Sequence, residues 1–131
     1  MTNDPHALID ALEGRAWEIA HTVRHEVKAA APYAEIGLAF GRPTWFLHER
    51  VISLVALGDR CKLYFWQGAA LERRAGERMS GGGSEIRYVV LESIFDVDAR
   101  VKRLIGEAFQ LQIEAIAAAD RAAQRKAPLH A

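Results

Sequence analysis

The chain has 131 residues, half of them hydrophobic, and its 17 basic residues are balanced by 17 acidic ones. This length predicts one domain that buries about 65–70% of its unfolded surface, and zero net charge leaves no long-range field to draw nucleic acid or an anionic membrane. Cys61 is the one cysteine, which excludes an internal disulfide and a cysteine-rich zinc site. With no long uncharged apolar run and no basic leader, a soluble cytoplasmic protein is expected.

Asp4-Pro5 reads as an N-cap followed by proline at the first helical position. Leu8, Leu12, Ala16, Ile19, Ala20, Val23 and Val27 then share one side of a 3.6-residue period, so a first helix is predicted from Pro5 to Ala30, ended by Ala31-Pro32. On its opposite face Glu18, His21 and His25 follow at i, i+3 and i+7. One carboxylate and two imidazoles are metal-ligand types; a solvated polar face is the plainer account, since no fourth ligand is recognisable.

From Glu35 the pattern changes to strand-like runs, "EIGLAF", "TWFL", "VISLVAL" and "CKLYFW", broken at "GRP", "HER" and "GDR". They predict an antiparallel meander. Gly41-Arg42-Pro43 is expected to turn or offset one strand into the next, because glycine widens and proline narrows the backbone choice. Trp45 and Phe46 follow and must point to opposite faces, one ring sealing the core and the other edging the open face. In "CKLYFW", Cys61, Leu63 and Phe65 share one face and Lys62, Tyr64 and Trp66 the other. If helices cover the first set, the second forms an aromatic and basic surface suited to planar or apolar ligands and to anions. A second subunit or the long connection that follows could equally cover it. Cys61 reads as a buried, inert thiol.

"QGAALERRAGERMSGGGS" is that connection, with helical character around Ala69 to Arg74 and a glycine run at Gly81–Gly83. The run lacks the Lys-Ser/Thr of a phosphate loop and the dinucleotide glycine spacing, so a flexible loop is expected. A last strand, "EIRYVVL", precedes a helix opened by Asp96 and Asp98. Val97, Val101, Leu104, Ala108, Gln112 and Ala115 form its main stripe, and Ile105, Phe109, Ile113 and Ile116 a second one. The second stripe is either a broadened core face or the contact of a homodimer. Residues 118–131 read as a helical end or tail beyond a core at about 5–117. His6, His48 and His130 lie near the termini or in a turn and suggest no chemistry. The sum is a single α+β domain, an antiparallel sheet of about five strands with N-terminal and C-terminal helices on one face.

"FGRPTWF", "LYFWQGAALE" and "GGGSEIRYVVL", followed by an acidic cap and a helix, together resemble the YdhG-like family, a bacterial domain of unknown function. The resemblance covers about Val23 to Gln112. Its elements fall on Phe40, Gly41 and Pro43, on Leu63, Phe65, Gly68, Ala69 and Leu71, and on Gly81, Gly83 and Arg87. Ile36, Glu85 and Tyr88 depart from the family's usual residues. The resemblance implies the same α+β arrangement. Because one branch is similar to frataxin, it also implies iron as a cargo, carried by an intracellular iron chaperone. Oxygen ligands along an acidic ridge would be needed for that, whereas this first helix mixes Glu13, Glu18 and Glu26 with Arg15, Arg24 and Lys28. No nucleophile and base stand at useful spacing, so an enzyme ranks last. The function expected is a non-catalytic module binding a small ligand or a protein through Arg42, Trp45, Lys62, Tyr64, Trp66 and Arg87, with Gly41, Pro43 and Gly68 as structural positions.

Overall fold

Asp4 starts the first helix, α1 (Pro5–Asp10), by accepting the His6 amide at 2.9 Å, and proline occupies the position where a missing N–H costs nothing. The structure, a computed structural model, describes residues 3–126. The helix predicted from Pro5 to Ala30 is two helices, α1 and α2 (Gly14–Ala30). Gly14 has φ +58°, a conformation no continuous right-handed helix contains, and Glu13 before it is extended. Periodicity missed the break because Leu8, Leu12 and Ala16 keep a four-residue spacing across it.

Five strands follow as a simple meander: β1 (Glu35–Ala39), β2 (Arg42–Leu47), β3 (Glu49–Leu57), β4 (Arg60–Phe65) and β5 (Arg87–Leu91). Each pairs antiparallel with the next, in the order β1-β2-β3-β4-β5. The β1–β2 turn is tighter than "GRP" suggested. Ala39 pairs with Arg42 across a two-residue turn, Phe40-Gly41, whose φ angles are both positive at 52° and 73°. Arg42 and Pro43 belong to β2. Proline is tolerated there because the pairing of β2 with β3 begins only at Thr44, so no ladder bond needs its missing N–H.

Between β4 and β5 the chain forms α3 (Gly68–Ala75), then the glycine run; after β5 a 3-10 turn at Ile94–Asp96 leads into α4 (Ala99–Lys126). The two carboxylates divide the work at that junction. Asp98 Oδ1 caps α4 through the Val101 amide at 3.0 Å, while Asp96 Oδ2 accepts the Glu92 amide at 2.7 Å. α4 continues without a break past residue 117 to Lys126, and residues 127–131, with His130, lie outside the described residues.

The helices cover one face of the sheet. Ile9, Ile19, Val23 and Val27 from α1 and α2 meet Ile52, Leu54, Leu63 and Phe65 from β3 and β4, and Val101, Leu104, Ile105 and Phe109 from α4. α4 lies against α2, α3 and β3 together. A helix flanked on that many sides buries more than one stripe, so Ile105 and Phe109, offered above for a homodimer, are core residues at 0% and 1% exposure. Only Ile113 and Ile116 of that set remain partly exposed.

Candidate functional site

Register decides which side chains reach the uncovered face of the sheet, since residues directly opposite on paired strands share a face. Tyr64 of β4 stands opposite Ser53 of β3 and Tyr88 of β5, and Lys62 opposite Val55 and Val90. Thr44 of β2 stands opposite Ser53, and Arg42 lies two residues before Thr44 on the same side. Trp66 follows β4 directly and extends its ladder by donating its amide to the Val51 carbonyl at 3.0 Å. The structure therefore brings Arg42, Lys62, Tyr64 and Trp66 to one face.

It places the other two candidates elsewhere. Trp45 is opposite Ile36 and Ile52, on the helix side, and is 4% exposed in the core. Phe46 is the outward ring, and it covers Gly37. Arg87 is opposite Phe65, also on the helix side. Its Nε donates to Glu72 Oε1 at 2.8 Å and its Nη1 to the carbonyls of Gly83 and Ile86 at 2.6 and 2.9 Å. Glu72 accepts the Met79 amide with its other oxygen, at 2.7 Å, so one carboxylate ties α3, the connection and β5 together. The Met79 amide, then the Arg87 guanidinium, hold the Glu72 carboxyl below its ordinary pKa. Gly68 makes this packing possible, because a Cβ there would lie 2.5 Å from the Arg87 nitrogen. Arg87 also fastens the Gly81–Gly83 run to its own strand. Arg87 could have been assigned to the helix side from the sequence by parity, since it alternates in step with Val89 and Leu91.

On the uncovered face a chain of hydrogen bonds runs under the rings. Trp66 Nε1 donates to Ser53 Oγ at 2.8 Å, Ser53 and Thr44 hydroxyls are 2.7 Å apart, and Thr44 Oγ1 donates to the Arg42 carbonyl at 2.9 Å. The last bond uses the only Thr44 proton, so Ser53 must donate to Thr44 and accept from the indole. Thr44 and Ser53 are buried. Their hydroxyl protons run in one direction, which leaves Ser53 Oγ to accept and anchor the Trp66 indole.

Three further residues that sequence reasoning left out complete the surface. Phe40, 80% exposed, lies with its ring centroid 6.1 Å from that of Trp66 and 22° from parallel. The Arg50 guanidinium stands 4.0 Å from the Trp66 centroid and 5.7 Å from that of Phe40. Tyr88 meets Tyr64 at 5.2 Å, and Lys62 Nζ lies 4.4 Å over the Tyr88 ring. Phe40, Arg42, Ser53, Tyr64, Trp66 and Ile86 line a cleft of about 100 Å³. Ile86, Val90 and Leu57 add exposed apolar surface near or along the same sheet.

On the polar face of α2, His21 is engaged with partners other than Glu18 and His25. His21 Nδ1 faces the Trp17 carbonyl at 2.9 Å, its Nε2 faces Asp10 Oδ1 at 3.2 Å, and its ring stacks on Trp17 at 3.7 Å. Arg24 donates to the same Asp10 oxygen at 2.9 Å and, with His21, holds that carboxyl below its ordinary pKa. With both nitrogens so placed, His21 is not turned toward Glu18 and His25, both exposed. Among the described residues no group of three or more His, Cys, Asp or Glu is placed to hold a metal ion. Cys61 is buried, its sulfur 3.8 Å from the Ala16 carbonyl, and burial pushes its thiol up to about 11. No helix among the described residues is long and apolar enough to cross a membrane.

No protein-family model matches the chain, and no curated protein or solved structure matches it either.

Proposed function

We propose that the protein is a non-catalytic binding module of the YdhG-like kind whose uncovered sheet face receives its ligand. One observation carries this reading: the Trp66 indole is anchored through Ser53 to Thr44, and its neighbours on that face are the cations Arg42 and Arg50. Anchoring a ring on an unpacked face contributes little to a core. It does prepare a surface, since a restrained ring loses less entropy when something docks on it. Contact between the motif segments supports the family part of the proposal, because Gly68 of "GAALE" and Arg87 of "IRYVVL" pack directly on each other.

The face has rings, cations and hydroxyls, and the protons of its two aliphatic hydroxyls, Thr44 and Ser53, are committed to neighbours. Such a set binds and orients; it has no activated nucleophile. A fragment and peptide screen by two-dimensional amide NMR tests the reading. Saturable shifts are expected at Lys62, Tyr64, Tyr88 and the Trp66 indole, and they should be lost in Trp66→Ala. A screen whose ligands shift only the helical side would overturn it.

A further inference from the structure

Phe40 is the residue on this face that the fold itself does not ask for. It occupies the first central position of a two-residue hairpin turn with φ +52°, where Asn, Asp or Gly is preferred and a bulky side chain is strained. Its ring is 80% exposed, so burial does not offset that strain. Its neighbours are the Trp66 ring and the Arg50 guanidinium. An observed backbone outlier at the rim of a cleft is the kind of feature from which a role in binding is argued.

The spacing defines what fits. Phe40 and Trp66, with ring centroids 6.1 Å apart and planes 22° from parallel, both line the cleft, so a planar group that enters it meets both rings. The exposed Phe40 side chain is free to adjust to such a group, whereas the Trp66 indole is anchored on Ser53. The cleft, at about 100 Å³, is below the roughly 300 Å³ of a pocket that encloses a drug-sized molecule. It has room for a single ring. Arg42 lines the cleft and Arg50 flanks both aromatic rings, so a planar group entering there meets positive charge at its edge.

We infer that the cleft receives a small aromatic carboxylate, whose ring packs against Phe40, Tyr64 and Trp66 and whose carboxylate meets Arg42. This rests on the binding-face reading above and names the ligand class for it. The strained turn holds the Phe40 ring at the rim of the cleft, where it adds a wall for the ligand.

Benzoate, benzamide and cyclohexanecarboxylate, titrated separately into the full chain and followed by amide and indole NMR, test it. The three differ in charge and planarity at nearly constant size. Benzoate is expected to shift the Trp66 indole N–H saturably and to bind at least about fivefold more tightly than either control. Phe40→Asn, which suits the turn, is expected to weaken benzoate by about fivefold without lowering thermal stability, and Arg42→Gln to remove the preference for benzoate over benzamide. Equal affinity of Phe40→Asn and the parent chain, or equal affinity for benzoate and benzamide in the parent chain, overturns the inference. If benzoate leaves Trp66 unmoved while other fragments still shift Lys62 and Tyr64, the aromatic-carboxylate inference fails alone; if nothing shifts that face, the binding-face reading fails with it.

Discussion

Trp66 donates its indole N–H to the Ser53 hydroxyl at 2.8 Å, and Ser53 passes its own proton to Thr44. The bond joins β3 to the residue just beyond β4 on the face that no helix covers. Ser53→Ala removes an acceptor from Trp66 and a donor from the buried Thr44. A loss of about 1–3 kcal/mol is expected from urea denaturation, together with a moved Trp66 indole resonance; an unchanged midpoint would show that the chain of bonds adds no stability.

Phe40→Asn should raise stability. The left-handed conformation costs a non-glycine residue roughly 1–2 kcal/mol, and asparagine relieves part of that through its local hydrogen bonding. An increase of about 0.5–1 kcal/mol in the free protein is expected by thermal denaturation, and a decrease would mean that the Phe40 ring contributes more to the fold than its exposure indicates.

Gly68→Ala should be among the most damaging single changes. The new methyl would meet the Arg87 backbone nitrogen at 2.5 Å, and neither α3 nor β5 can retreat without breaking the Arg87–Glu72 pair. A loss of about 2–3 kcal/mol is expected on the scale of overpacked cores. Ala69→Gly, one residue on, serves as the control for helix propensity alone, with a loss of about 1 kcal/mol.

Acid should weaken the same junction. The Glu72 carboxyl titrates lower in the folded chain than in the unfolded one, so its contribution is complete above the ordinary carboxylate range and is lost as pH falls through the lowered folded value. Denaturation midpoints between pH 6 and pH 3 should fall less steeply in Glu72→Gln than in the parent chain, from a lower starting value at pH 6. Parallel curves would show that other carboxylates, such as Asp10 and Glu114, carry the acid response.

Cys61 should be silent in the native protein. Its thiol titrates at about 11 and is sealed by α2 and the sheet, so a disulfide reagent at pH 8 should label it only in denaturant. From about pH 9 upward the unfolded thiol ionises first, and the folded state loses stability until the folded value is passed. Rapid native labelling would mean that α2 lifts from β4.

The alternation of Cys61, Leu63 and Phe65 with Lys62, Tyr64 and Trp66 was enough to separate the two faces of β4, because a strand repeats every two residues. The order of helix, meander and helix followed from the change of period at Glu35 and back at Asp98. Local pattern could not bridge distances across the fold. Whether Trp45 or Phe46 faced the core depended on the pairing of Trp45 with Ile52, and Arg87 was committed to Glu72 from α3, 15 residues away. The second stripe of α4 is buried because α2, α3 and β3 surround that helix, which its own periodicity does not encode. The cluster of Phe40, Arg50 and Trp66 draws one turn and two strands together, so only the register of the sheet could assemble it. Periodicity is a property of neighbours along the chain, whereas a site is a property of neighbours in space.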